Sequence, residues 1–543
     1  MPRVPLSISG WRNHCLNYPD TEVVAAIVGI AQYGARIGFQ GIREGHHLAR
    51  NLVSAYELPE ILRGDLQEQM ENDRLIIYES KETLPPLFYS SPLGLVDKPD
   101  GKKRRIHHLS HPPGGSINDG IPVEFGELTY ATVNEVIAIV QGLGAGTVMV
   151  KRDFADAFRQ VPVSPLDSPL LGFHFENHFY AERFLPFGLR TAPYIFNLFA
   201  EVFHWILEQQ LQKIYPKARV IHYLDDFLVL LPPGTSWKPA SRCFKQLATD
   251  VGLTIKERKN EEGMIVSFGG VIFDTQAMAI QLPTDKKSKG LAMIRRHGAA
   301  VSILLHDLQQ LTGFLNFATL VVPLGRAFLR RLYNLQLYFP HRQGARRRIS
   351  SEARKDLAWW HKLLQTTTSI ERRFLPVARQ QYVMWTDASG LKGLGGYYQA
   401  LGCDHQKDIQ PAEAFMLALP RHIEHRNEHI NTKEMRAVEQ GLLRWARLWK
   451  GSQVTLHIDN QAVVFGIRNH TMRGSTMDVL RRCLLLASRH DLELIPHWKP
   501  TGNNRLADAL SRFDRDTITN LAPQLLPLFD HQNPGFLTCA VLD

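Results

Sequence analysis

At 543 residues the chain is too long for one hydrophobic core and is expected to fold as several domains. Its 44% hydrophobic and 21% charged content excludes a disordered polymer, and the longest early apolar run, VVAAIVGIA at 23–31, is too short to cross a bilayer. A net charge of +10 favours a polyanionic partner. Five scattered cysteines (Cys15, Cys243, Cys403, Cys483, Cys539) form no CxxC pair, and MPRVPLSISGW lacks the apolar core of a signal peptide. An intracellular, reducing setting, cytoplasmic or nuclear, is expected.

In chain order, residues 1–85 read as a mainly helical N-terminal extension without a catalytic constellation. Over 86–275, short β-rich runs (TVMVKRD, GFHFENHFYAERF, RVIHY, FLVLL, MIVSFGGVIF) alternate with helices. One helix is expected to start near Thr191, with Pro193 in its first turn, and to run through IFNLFAEVFHWILEQQ. Residues 276–375 turn helical: DLQQLTGFLNFA carries apolar positions 308, 311, 314, 315 and 318, and nine Lys/Arg against two acids lie between 326 and 356. Around 371–381 a linker is expected. From 376 to 515 strands restart (YVMWTDAS, LGGYYQA, VTLHIDN) with helices between them, and 516–543 reads as a tail.

The run IHYLDDFLVLL (221–231) sets Asp225 and Asp226 side by side between apolar strands. An Asp pair alone is an ordinary turn signal, yet burying two like charges without a partner is costly. A second strand, in TVMVKRDFADAFRQVPV, ends in Asp153. Acids delivered from two strand ends make an oxygen-rich site for hard divalent cations, which would relieve the repulsion.

YLDD (223–226), KRDFADAF (151–158) and LPFGLRTAPYIFN (185–197) resemble the three central palm motifs of reverse transcriptases. SPLGLVDKPDGKKRRI (91–106) is similar to the fingers segment before them; VGLTIKERKN and SFGGVIFD are similar to the motifs after them. Six matches in order are far more specific than one tetrapeptide. The resemblance implies an α+β right-hand polymerase with fingers and palm over 86–275 and a helical thumb or connection over 276–375.

It further implies two Mg²⁺ ions, with Mn²⁺ as a substitute, held by Asp153 and Asp225, with Asp226 as the less certain neighbour and the Phe154 carbonyl as an extra ligand. Phe158 would exclude a 2′-OH and so select dNTPs. The backbone at Asp156 and Ala157 would face the incoming nucleotide. Lys98 and Arg104 (or its neighbour Arg105) would clamp the triphosphate, Gly188 would let the backbone approach it, and Lys259 would protonate pyrophosphate. Two departures are Asn197, where Gln is common, and HHLS at 107–110.

Further on, WTDASG, NTKEMRAVEQGLLRW, VTLHIDNQAVV and WKPTGNNRLADALSR supply Asp387, Glu434, Asp459 and Asp508. Singly, each also reads as a cap or a turn. In this order they resemble the ribonuclease H active site, which implies an α/β ribonuclease H fold over 376–515 and two-metal hydrolysis of the RNA strand of an RNA/DNA hybrid. The loop TGNNR lacks the histidine often found there, and His497 is out of register for that role.

LQQLTGFLNFATLVVPLGRAFLRRLYNL resembles a retroelement thumb, making Arg326, Arg330 and Arg331 candidate phosphate contacts. With RIHHLSHPPGGSINDGIP and the ribonuclease H segment directly following, the whole looks most like DIRS-type (tyrosine-recombinase) retrotransposons; nothing after Asp516 resembles a recombinase. The expected partners are an RNA template, a DNA primer, RNA/DNA hybrid and dNTPs. The alternative is a domesticated or decayed copy that binds nucleic acid without catalysis. A DNA-templated polymerase is not separated from these by motif.

Overall fold

The computed structural model describes residues 6–97, 101, 103–340, 344–366, 370–374, 379–401, 408–419 and 427–529; Lys98 lies outside them. The chain forms two compact units, residues 1–280 with 373–375, and residues 281–372 with 376–543.

The first unit is built on an antiparallel sheet of β1 (Val148–Asp153), β2 (Arg219–Tyr223), β3 (Asp226–Leu231) and β4 (Glu261–Gly263), in the order β4-β1-β3-β2. The helix-covered face of the central strands is apolar, with Val148, Val150, Phe227, Val229 and Leu231 buried in one core. Helix α1 (Val133–Leu143) starts on a Thr132–Glu135 capping box. Helix α2 (Ala192–Gln212), with Pro193 in its first turn, and α3 (Lys238–Val251) pack Phe203 and Phe244 edge-on to Phe227 of β3. A second sheet runs through strands 45–48, 87–90, 172–175, 178–182 and 75–78 in that order, beside a 93–97/103–107 hairpin.

Residues 1–85 therefore do not stand apart as a helical extension. Strands 45–48 and 75–78 belong to the sheet that also holds 87–90. Trp11 is fully buried edge-on to Phe199 of α2, and the Ser7 amide donates to the Val251 carbonyl. Four-residue strands carry too short a period to be read from sequence.

The second unit begins with α4 (Leu305–Ala318), α5 (Arg330–Leu337) and α6 (Ser351–Thr366). It continues into a five-stranded sheet of β5 (Gln381–Ala388), β6 (Gly393–Ala400), β7 (Ala414–Ala418), β8 (Gln453–Ile458) and β9 (Glu493–Trp498). The order is β7-β6-β5-β8-β9, antiparallel through the first three strands and parallel from β5 to β9. With α7 (Ile430–Trp445), α8 (Thr476–Arg489) and α9 (Arg505–Arg512), this sheet makes a mixed α/β fold.

The expected boundary at 375/376 does not part the thumb-like helices from this sheet. Arg481 of α8 donates to Asp356 of α6 at 2.9 Å and to the Ala327 carbonyl at 2.8 Å, with both charged side chains buried. Removing one partner of such a pair would strand a buried charge, so the network fixes the helices to α8. The expected tail also starts later than Asp516. Helix Arg515–Leu521 and the turn behind it bury Ile518, Ala522 and Leu525 against Leu506 and Leu510.

Candidate active sites

In the first unit, β1 ends at Asp153 and β3 begins at Asp226, its direct cross-strand partner. Tyr223 pairs with Asp226, so Leu224 and Asp225 form a two-residue turn, with Leu224 at a left-handed φ of 55°. That conformation is unfavourable for Leu and is held from outside the turn. The Phe154 amide donates to the Asp225 carbonyl (3.1 Å), and the Lys256 amide to the Asp153 carbonyl (2.7 Å). The Phe154 ring anchors the same point among Phe196, Phe203, Phe227 and Phe244. Backbone pairing and an aromatic core thus bring Asp153, Asp225 and Asp226 to one sheet end.

Two cations stand beside them. Lys259 Nζ donates to Asp153 Oδ2 at 2.5 Å, and Lys151 Nζ lies 3.8 Å from Asp226 Oδ1 and 3.4 Å from Glu261. They do not offset desolvation. Burial, with repulsion from Asp153, raises the Asp225 pKa. Burial pushes Asp226 to about 7 despite Lys151, and its Oδ1 accepts no hydrogen bond. The hydrogen bond to Asp153 raises Lys259. Lys151 escaped the motif reading, yet strand alternation puts positions 151 and 153 on one face, which was a usable signal.

Asp156 adopts a left-handed φ of 48°, with Oδ2 held by Arg74 at 3.1 Å; Ala157 beside it is buried. Phe158 is half-buried, its ring 5.2 Å from exposed Phe187 and 5.9 Å from Phe196. Gly188 has φ 93°, and its carbonyl accepts from Asn118, whose side-chain oxygen accepts the Arg190 amide. Of the two arginines left open by sequence, Arg105 is committed to Asp65 (2.6 Å) and Glu182 (3.3 Å), while Arg104 is exposed.

In the second unit Asp387 closes β5, Glu434 lies in the second turn of α7 and Asp459 follows β8. One oxygen from each lies within 4.8 Å of the others. The Ala388 amide donates to Glu434 Oε1 (3.3 Å), Ser511 Oγ to Asp387 Oδ2 (2.5 Å) and Thr501 Oγ1 to Asp459 Oδ2 (2.9 Å). Asp508, on α9, is outside the trio and accepts from Arg512 at 2.6 Å. Burial raises Asp387 to about 6 and Glu434 well above its usual range, with the neighbouring acids adding to both. Glu434 Oε2 is buried without a donor. His497 sits on β9 in register with His457 of β8.

Of the basic residues, Arg326 is exposed, and Arg330 lines a cavity of 630 Å³ with His429, Asn431, Thr432 and Arg473. Arg331 corrects the expectation of a phosphate contact. Its guanidinium is spent on Asp356 (3.0 Å), Asp478 (2.7 Å) and Glu352 (3.3 Å). Sequence alone does not separate a cation facing solvent from one bridging three elements.

Both acid sets fit a hard divalent cation. Their donors are all oxygen, and each holds a buried carboxylate oxygen without a hydrogen-bond partner. The elevated pKa values mark carboxylates that a cation would stabilise as anions.

Residues 110–287 match the family model described as reverse transcriptase (RNA-dependent DNA polymerase), a stretch that contains Asp153, Asp225 and Asp226. The chain is 24% identical over 483 residues to the retrovirus-related Pol polyprotein from transposon opus of Drosophila melanogaster, covering 85% of this chain and 43% of the relative. It is 24% identical over 255 residues to the Gag-Pro-Pol polyprotein of human T-cell leukemia virus 2, covering 45% of this chain and 16% of that one. The chain thus spans less than half the length of these curated relatives. Among solved structures, the foamy viral protease-reverse transcriptase with RNA/DNA hybrid matches at TM-score 0.48 and 15% identity, over 91% of this chain and 63% of that one. The dRH form with double-stranded DNA matches at 0.47 and 16%, over 92% and 83%.

Proposed function

We propose, from the premise that residues 110–287 form a reverse transcriptase domain of the retrotransposon and retroviral Pol type, that this chain copies RNA into DNA and cleaves the RNA strand of the resulting hybrid. The observation that carries this reading is the pair of buried acid sets, each at a sheet end and each in its own compact unit. The biological setting would be retroelement replication, with DIRS-type elements as the nearest likeness.

At the first site Asp153 and Asp225 would hold Mg²⁺, with Asp226 and the Phe154 carbonyl beside them. When bound, the ions would stabilise the attacking and departing oxygens of an in-line displacement. The chain's own residues do the rest. The Phe158 ring, packed against Phe187 and Phe196, would bar a 2′-OH. Gly188 would leave room for the nucleotide, and the backbone at Asp156 and Ala157 would face it. Arg104 would meet the triphosphate charge, a role the motif resemblance also gives Lys98, which lies outside the described residues. Lys259, hydrogen-bonded to Asp153, would give a proton to departing pyrophosphate.

At the second site Asp387, Glu434, Asp459 and Asp508 would hold the cations for hydrolysis. Ser511 and Thr501 fix two of the carboxylates. Arg326 and Arg330 are the candidate phosphate contacts.

The test is primer extension on an RNA template with Mg²⁺ and dNTPs, reading DNA product and template degradation together. DNA synthesis with loss of template is expected. Salt-dependent hybrid binding without incorporation would contradict the proposal and indicate a non-catalytic binder. A matched DNA template tests template preference.

A further inference from the structure

Behind the 223–226 turn lies a second donor cluster that nucleotide addition does not use. Glu201 and His204 stand three residues apart on α2, hence on one face, and His222 meets them from β2. One ligating atom from each lies within 4.8 Å of the others. We propose that Glu201, His204 and His222 form a transition-metal site, suited to Zn²⁺, that ties α2 to β2 just ahead of the Leu224–Asp225 turn.

The donor chemistry favours a borderline transition metal over Mg²⁺. Two imidazoles and one carboxylate are a zinc-type set with a fourth position open, unlike the all-oxygen acid sets. The geometry agrees: His204 Nδ1 and His222 Nδ1 are 3.2 Å apart. A tetrahedral ion with Zn–N bonds of about 2.0–2.1 Å holds two nitrogens roughly 3.3 Å apart. Glu-x-x-His on a helix is a spacing by which helices present metal ligands.

The surroundings are already set. His222 is buried and stacks on Phe227 at 4.8 Å and 13°, which fixes its ring plane. Burial holds this imidazole neutral, with its pKa lowered to about 3, so its lone pair is available at neutral pH. Glu208 Oε2 lies 3.8 Å from His204 Nε2 and is pinned by the Val220 amide at 2.7 Å, the place of an outer carboxylate that orients a ligating histidine. Glu201 is exposed, with Oε1 3.7 Å from His222 Nε2 and accepting from Asn197 Nδ2 at 3.4 Å, a bond it would exchange for the ion. The fourth direction opens on a cavity of 510 Å³ lined by Tyr130, Asn197 and Leu224, with room for water.

The competing reading is a plain imidazole–imidazole hydrogen bond. To separate the two, the chelator-stripped full chain is titrated with Co²⁺ and then Zn²⁺ under excess Mg²⁺, which saturates the carboxylate sets. The proposal expects one equivalent of Co²⁺ with the intense visible bands of a tetrahedral site, displaced by Zn²⁺. His204→Ala should lose that equivalent, Asp225→Asn should keep it, and Glu208→Gln should weaken it by on the order of tenfold. No tight Zn²⁺ binding under excess Mg²⁺, or an unchanged equivalent in His204→Ala, would overturn it. If His204→Ala fails to fold, the exposed Glu201→Gln variant decides: at least tenfold weaker Zn²⁺ binding supports the site, and unchanged affinity overturns it.

Discussion

Asp226 is buried with an oxygen that accepts no hydrogen bond, and its folded pKa of about 7 lies far above the ordinary value of an aspartate. The sign of the linkage follows. Between the unfolded value near 4 and about 7 the folded, metal-free chain binds the extra proton, so stability contributed by this group falls as pH rises through that window. Asp226→Asn removes the charge at nearly constant shape. In chelator at pH 8 it should stabilise the chain by up to a few kcal/mol, and the gain should vanish near pH 4, as read by urea unfolding. A gain that does not change with pH would contradict this. Phe158 gives a second residue-scale prediction. Phe158→Val should raise ribonucleotide incorporation relative to deoxynucleotide by at least about tenfold, measured as a ratio of kcat/KM values. At this scale the acids were legible because each follows a β-rich run or opens a helix. The face of Lys151 was legible from strand alternation with Asp153, but its partner Asp226 and the Asp356 and Asp478 partners of Arg331 were not, because they meet these cations only through folding.

At the scale of elements, the second site depends on how closely α9 lies on β6. A Cβ added at Gly395 would stand 2.4 Å from the Ser511 amide nitrogen and 2.6 Å from Leu510 Cβ. Gly395→Ala should therefore lift the helix that carries Asp508 and Ser511. The expected cost is about 1–3 kcal/mol, with RNA cleavage reduced and primer extension kept. Equal loss of both activities would show a wider collapse. Helix α2 was readable from Thr191 and Pro193 at its start and its long apolar run. The strands inside residues 1–85 and the buried turn after Asp516 were not: they are short, and their apolar residues gain meaning only from the sheet or helices they cover.

For the whole molecule, several domains were evident from length, but not their partition. The helices over 305–366 share a compact unit with the five-stranded sheet because buried Arg481 and Asp356, joined by half-buried Arg331, form one ion network across sequence-distant segments. Each unit then holds one acid set, so the two proposed activities should be separable by single substitutions. The most direct measurement gives wild type, Asp225→Asn and Asp459→Asn the same labelled RNA template with a DNA primer, dNTPs and Mg²⁺. Asp225→Asn should lose DNA synthesis and still cut the RNA of a preformed hybrid, while Asp459→Asn should extend the primer and leave the RNA intact. Survival of both activities in both variants would contradict the assignment of the two sites.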